Sequence, residues 1–143
     1  MQPSNQIYAA GAMTGLTWEQ QFVWRDDLAA TIRECTHNRW TVFNPPLHTS
    51  DIEEYDMDDR EAMDYDLYHL LRSDLVIVNF SYNPKSFGTV AEMGAAYTHH
   101  IPILGLNEHG EELHPWQREM CLRIFDDYNR MIKYLVDHFI NEK

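Results

Sequence analysis

Leu75-Val76-Ile77-Val78-Asn79-Phe80 decides the fold. The run is almost unbroken in its apolar character, preceded by Ser73-Asp74 and followed by a loop-like stretch, 81–87, that contains Asn83-Pro84. A strand with one face in water alternates apolar and polar residues. This run has no polar face and suits a strand covered on both sides, as in parallel sheets lying between layers of helix. Outward from it the pattern repeats. Upstream, Ala62, Leu67, Leu70 and Leu71 predict a helix running to Arg72; downstream, Gly88-Thr89 opens a helix through His99 that leads to a strand at Pro102-Ile103-Leu104-Gly105-Leu106.

Further out, Ile7-Tyr8-Ala9-Ala10 is a short apolar run ending at Gly11, and Thr14-Gly15 with Thr17 supplies turn and capping residues before a helix from about residue 18 to 35. In that helix Phe22, Trp24, Leu28, Ile32 and Cys35 recur at roughly helical spacing and read as its core face. Trp40-Thr41-Val42-Phe43 is a second strand, stopped by Asn44-Pro45-Pro46 because proline cannot continue a ladder. Leu122-Arg123-Ile124-Phe125 is a candidate fifth strand, and Met131, Ile132, Leu135, Val136 and Phe139 mark a last helix with Asp126 or Asp127 to cap it. Strands alternating with helices predict a single-domain α/β fold over residues 1–143, a doubly wound, flavodoxin-like parallel sheet of about five strands with helices on both faces. Sites in such sheets lie beyond the carboxyl ends of the strands, here at the loops 11–17, 44–50 and 81–87. In a doubly wound order the first and third strands are neighbours, which brings Tyr8 beside the segment 81–92.

Length and charge restrict the function. At 143 residues and 44% hydrophobic content the chain suits one sizeable core. With 23 Asp and Glu against 11 Lys and Arg the formal charge is −12, which opposes a surface that tracks nucleic-acid phosphates. Between residues 51 and 66 lie nine carboxylates and one base, Arg60, so this window carries −8 of the −12. Most of it reads as a solvated acidic loop and helix entrance; without a glycine it cannot be a calcium loop of EF-hand type. Cys35 and Cys121 are isolated, the opening Met1 to Gln6 is polar, and no apolar run reaches the length of a membrane span, so a cytoplasmic protein with reduced thiols and no membrane partner is expected.

Glycine-rich dinucleotide and P-loop signatures, the serine-hydrolase elbow and the zincin motif are absent, and the loop after the first strand lacks the Ser/Thr-rich run of a flavin phosphate site. His99-His100 are adjacent at a helix end and point apart, so neither a metal nor another cofactor is expected. What remains is residues 86–97, where a loop passes into a helix rich in small residues with one carboxylate, Glu92, among Ala91, Gly94 and Ala95. Small neighbours allow close approach of a ligand, and the N–H groups at the helix start favour an anion or hydroxyl near Ser86 to Thr89.

Three motifs in this order and spacing make the chain resemble the nucleoside 2-deoxyribosyltransferase family, which includes related N-glycosidases acting on nucleoside 5′-monophosphates. They are Tyr8-Ala9-Ala10-Gly11-Ala12-Met13-Thr14-Gly15, Asp66-Leu67-Tyr68-His69-Leu70-Leu71-Arg72-Ser73-Asp74 and Gly88-Thr89-Val90-Ala91-Glu92-Met93-Gly94-Ala95-Ala96. The resemblance implies that Glu92 is a nucleophile toward C1′ of the sugar, Asp66 the general acid and base for the nucleobase, and Tyr8 the residue that orients the nucleophile. It implies Gly11, Met13, Ser86, Gly88 and Thr89 as substrate-binding residues; Asp74 reads as structural. The transferases commonly carry Asp where this chain has Ser86, and Ser there, beside Lys85, is similar to the monophosphate hydrolases. The loop Ala12-Met13-Thr14-Gly15, however, lacks their phosphate-side Arg. Base exchange on a deoxynucleoside ranks first, hydrolysis of a (deoxy)nucleoside monophosphate second, and a non-catalytic nucleotide-binding module third. The resemblance also implies a homodimer or larger assembly with shared active sites, for which residues 107–120, including His114-Pro115-Trp116, are the candidate contact.

Overall fold

The computed structural model describes residues 5–141, with the side chains of 47–51 excepted; the polar start at Met1 to Ser4 lies outside the described residues. The elements are β1 Asn5–Gly11, α1 Trp18–Thr36, β2 Trp40–Phe43, a 3-10 turn Pro45–His48, α2 Thr49–Glu54, α3 Asp59–Leu71, β3 Leu75–Asn79, α4 Phe87–Thr98, β4 Ile103–Leu106, α5 Pro115–Met120, β5 Arg123–Phe125 and α6 Tyr128–Leu135, which runs on into a π-helical turn, Val136–Ile140. The five strands pair in the order β2-β1-β3-β4-β5, all parallel. The chain is thus a doubly wound α/β fold with β1 and β3 adjacent, as the alternation of patterns predicts.

Alternation along the strands divides the core. Ile7, Ala9, Leu75 and Ile77 join Leu28 and Ile32 of α1 and Met131 and Leu135 of α6 on one face; Tyr8, Ala10, Val76 and Val78 join Leu70 of α3 and Met93 and Ala96 of α4 on the other. Every residue of β3 is buried, the two-sided burial expected of an apolar run with no polar face. Helix starts are locally encoded. Thr17 and Gln20 close a capping box, Thr17 Oγ1 accepting from Gln20 N at 3.1 Å and Gln20 Oε1 from Thr17 N at 3.0 Å. Asp58 and Asp127 cap α3 and α6 by accepting from Glu61 N and Arg130 N. Asp74, read as structural, accepts from Gln6 N at 2.9 Å at the end of the sheet opposite the site.

Two sequence expectations need correction, and one element carries no sequence expectation. The stretch 44–50 is not an open loop but a 3-10 turn running into α2; Pro45-Pro46, read as a strand stop, also preset φ for a helical start. The stretch 107–120 contains α5, whose N-cap is His114, with Nδ1 accepting from Trp116 N at 3.1 Å and Pro115 entering the first turn; histidine is not one of the usual capping residues, so the start signal is weak. On α1 Cys35 is exposed, and the buried residues are Arg25, Leu28, Ala29, Ile32 and Thr36. An apolar-only stripe misses Arg25 and Thr36 because both are buried with backbone partners. Thr36 Oγ1 donates to Ile32 O at 2.7 Å and accepts from Trp40 N at 3.1 Å.

Candidate active site

Pairing fixes where Tyr8 points. In β1 it lies in register with Phe43 of β2 and Val76 of β3, its ring stacked on Phe43 at 5.4 Å and on the side of the sheet that carries α4. From there the Tyr8 hydroxyl donates to Glu92 Oε2 at 2.5 Å. Residues 84 apart in sequence meet because β1 and β3 are neighbours and α4 follows β3. Phe43 stacks in turn on His69 of α3 at 4.3 Å, with Tyr65 edge-on to both. Asp66 lies on the same helix, one turn before Leu70 of the core, and is partly buried.

The electrostatics of this group are coherent. Burial raises the Glu92 carboxyl to about 7, the hydrogen bond from Tyr8 pulls it down, the charge of Asp66 pushes it up, and the charge of Arg25 pulls it down. The Tyr8 phenol is pushed far up by burial, by Glu92 and by Asp66, so it stays protonated and remains a donor. Such a carboxyl titrates in the neutral range, where groups that exchange roles between charged and neutral forms are found. Arg25 was not picked out by sequence reasoning. It is 1% exposed, and its guanidinium donates to Ala9 O at 3.0 Å, Gly11 O at 3.1 Å and Gln21 O at 2.5 Å. The available signal was its spacing: 25, 28, 29, 32 and 36 share one helix face.

The other expected residues are distributed around this pair. Gly11 ends β1 where a Cβ would lie 3.1 Å from Trp24 Cζ2 and 3.2 Å from Asn79 O, so its bare backbone is required by packing beside Arg25. Ser86 is the N-cap residue of α4, but its Oγ donates to Thr89 Oγ1 at 2.7 Å instead of to a helix-start role. Thr89, one turn before Glu92, is buried. Gly88 and Gly94 face space in which an added Cβ meets nothing within 4 Å. Met13 is half-buried on the turn beyond β1, its carbonyl accepting from Leu16 N at 3.1 Å. Lys85 pairs at 3.4 Å with Glu112 on the surface. The structure therefore brings Tyr8, Glu92 and the charge of Asp66 together, and joins Ser86 to Thr89 at the start of the same helix. Hollows of about 740 Å³ beside His100 and Leu122 and about 620 Å³ beside Tyr65 and Tyr68 are not lined by Tyr8, Asp66 or Glu92. Hydrogen bonding and charge single out the site. Among the described residues no three His, Cys, Asp or Glu are arranged to hold a metal ion, and no helix is long and apolar enough to cross a membrane.

A parallel doubly wound sheet with a part-buried carboxyl–phenol pair joining β1 to the second turn of the helix after β3 defines a class of small α/β proteins with a polar site at the strand ends. The family model for nucleoside 2-deoxyribosyltransferase matches residues 7–139, and the chain belongs to that family. No curated protein matches it in sequence. Among solved structures, the 2-deoxyribosyltransferase of the psychrotolerant bacterium Bacillus psychrosaccharolyticus is similar with TM-score 0.67 and 21% identity over 88% of this chain and 89% of that one. The 2-deoxyribosyltransferase of Leishmania mexicana is similar with TM-score 0.68 and 14% identity over 94% and 99%. The CMP N-glycosidase of Clostridium botulinum is similar with TM-score 0.61 and 17% identity over 94% and 100%. At these identities the likeness is one of fold.

Proposed function

We propose that this protein transfers the 2-deoxyribosyl group of a deoxynucleoside between nucleobases through a covalent intermediate on Glu92. The observation that carries the reading is the 2.5 Å hydrogen bond from Tyr8 to Glu92 Oε2, made in a buried setting that also feels the charges of Asp66 and Arg25. In its ionised form the Glu92 carboxylate attacks C1′ on the face opposite the base. The C1′–O bond forms as the C1′–N bond breaks, and the electron pair goes to the base nitrogen, which takes a proton from Asp66. An incoming base reverses the step: its nitrogen attacks C1′, the ester pair returns to Glu92, and Asp66 recovers a proton. Two inversions give net retention. In this reading the Tyr8 hydroxyl holds one carboxylate oxygen so that the other faces the sugar, and Asp66, not Glu92, serves the base.

The net charge of −12 supports a neutral nucleoside over a phosphorylated one. Ser86 favours the second reading, hydrolysis of a (deoxy)nucleoside 5′-monophosphate to base and sugar phosphate. Its side chain does not cap α4, so the donors of the first turn are left to an anion. Water then takes the place of the incoming base at the same ester. Either reading is that of a cytoplasmic, cofactor-independent enzyme of nucleotide salvage that binds no nucleic-acid polymer and works as a homodimer or larger homo-oligomer with shared sites.

Incubation with deoxyinosine and adenine, and separately with deoxynucleoside 5′-monophosphates alone, tests this by chromatography. Deoxyadenosine is the expected product. Free base from a monophosphate with no exchange product establishes the hydrolase instead, and binding without turnover in either assay establishes a nucleotide-binding module. Glu92→Ala is expected to abolish the activity with the fold intact by circular dichroism; full activity in that variant overturns the covalent mechanism. Tyr8→Phe removes one hydrogen bond to a charged group, about 1.5–3 kcal/mol, and should lower kcat roughly 10- to 100-fold.

A further inference from the structure

We propose that Arg25 is a positioning residue of this site: its buried guanidinium, bonded to Ala9 O and Gly11 O, locks the carboxyl end of β1 and brings a positive charge to the strand whose Tyr8 hydroxyl reaches Glu92. The proposal rests on the reading of Glu92 as nucleophile. Arg25 is among the most deeply buried large side chains of the protein. A cation in that position is costly unless it is hydrogen-bonded and neutralised nearby. Its hydrogen bonds go to Ala9 O and Gly11 O, which flank the last residues of β1, and to Gln21 O one turn back on α1. All three acceptors are neutral carbonyls. The Trp24 ring, 4.6 Å from the guanidinium carbon, adds a face but no charge. The acidic groups whose charge reaches Arg25 are Glu92 of α4 and Asp66 of α3.

The mechanical and electrostatic parts of the role are linked. A guanidinium offers donors in a fixed fork, so bonds to Ala9 O and Gly11 O set the direction in which β1 leaves the sheet. Gly11 has no side chain because Trp24, Arg25 and the Asn79 carbonyl crowd the place a Cβ would take. Tyr8 lies one residue before Ala9, so its phenol is aimed by the strand that Arg25 pins. The same charge opposes burial and Asp66 in the titration of Glu92: burial and Asp66 raise the carboxyl, and Tyr8 and Arg25 lower it. These are the titratable and charged groups facing Glu92 among the described residues of β1, α1, α3 and α4. Without Arg25 the carboxylate loses its cation, its titration moves to higher pH, and less of it is ionised near neutrality.

Charge and hydrogen bonding are separated by two variants. Arg25→Gln keeps a donor and loses the charge; Arg25→Lys keeps the charge and loses the fork. The acid limb of the kcat/KM profile should move up by on the order of one pH unit in Arg25→Gln, with activity recovering at high pH, and should stay in place in Arg25→Lys. A pH-independent loss of kcat in Arg25→Gln with an unmoved limb overturns the proposal, since that is what a purely structural residue gives. A measurement on proteins that keep Arg25 covers variants that fail to fold. In the wild type the side-chain nitrogen signal of Arg25, followed by NMR, should titrate with the Glu92 carboxyl, and in Glu92→Gln that titration should vanish. An Arg25 signal indifferent to Glu92 overturns the proposal. This readout needs no turnover, so it separates failure of the Arg25 role from failure of the transferase reading.

Discussion

In the proposed reaction Glu92 has to ionise in order to attack carbon, yet it lies where burial favours its neutral form, and this conflict has a stability consequence. The carboxyl is raised from 4.5 to about 7 in the fold, chiefly by burial. Because its folded value lies above its unfolded one, the native state holds the proton more tightly, and deprotonation weakens the fold as pH rises between those two values. Glu92→Gln removes that penalty while an amide oxygen can still accept from Tyr8. The variant is expected to be inactive and, above pH 7, more stable than the wild type by on the order of 2 kcal/mol. The gain should shrink as pH falls and disappear below about 4.5, where the wild-type carboxyl is neutral in both states. Urea denaturation at pH 4 and pH 8 checks the sign; an equal or larger gain at pH 4 contradicts a penalty that arises from charge. A site that is less stable for being functional is the usual trade at such positions. A related argument applies to Tyr8→Phe, in which loss of the bond that lowers the Glu92 carboxyl should also move the acid limb of the pH profile upward.

Elements were legible where their signals are local and blurred where tertiary packing decides. β2 follows its sequence pattern from Trp40 to Phe43, and β3 is wholly buried as its lack of a polar face requires, because strand patterning reports burial directly. α5 was missed because a histidine does the work of a capping serine, and α2 because two prolines were read as a stop. The Tyr8–Glu92 pairing was legible through motif order together with the neighbour rule for doubly wound sheets. Arg25 was not, since a charged residue on an apolar helix face looks like an interruption until its carbonyl acceptors are seen. β4 holds a second case of packing hidden from pattern. A Cβ at Gly105 would lie 2.7 Å from Phe80 Cε2, 3.2 Å from Ile124 Cγ1 and 3.3 Å from Cys121 Sγ, so the Phe80 ring rests on bare backbone. Gly105→Ala should destabilise the protein by about 1–3 kcal/mol through overpacking. Shortening the ring in Phe80→Leu should make the same glycine change less costly, a coupling that a double-mutant cycle by denaturant melts will show. Additive effects of the two changes contradict the contact.

At the scale of the molecule, the reaction chemistry and the surface lead to the same requirement. The proposed exchange needs a water-poor surrounding at Glu92 to compete with hydrolysis, because water at the glycosyl-enzyme would divert it to free sugar. The outer side of α4, the helix that bears Glu92, carries Phe87, 90% exposed, with Val90 and Tyr97 also exposed, and Trp116 of α5 beside it is 75% exposed. A hollow of about 380 Å³ lined by Lys85, Val90, His114, Trp116, Gln117 and Met120 lies between these helices. Large apolar side chains grouped this way are the composition of the buried centre of an interface, not of a solvated surface. The proposed homo-oligomer places this surface against a second copy, so that closure of the site depends on assembly. Sedimentation of the wild type should then show a dimer or larger species, and Phe87→Glu with Trp116→Glu should shift it toward monomer without loss of secondary structure. Neither residue belongs to the Tyr8, Asp66 and Glu92 group, so the effect on activity reports closure: exchange should fall with dissociation, and the ratio of free base to exchange product should rise. A monomeric wild type with full exchange activity overturns the shared-site arrangement while leaving the chemistry at Glu92 intact.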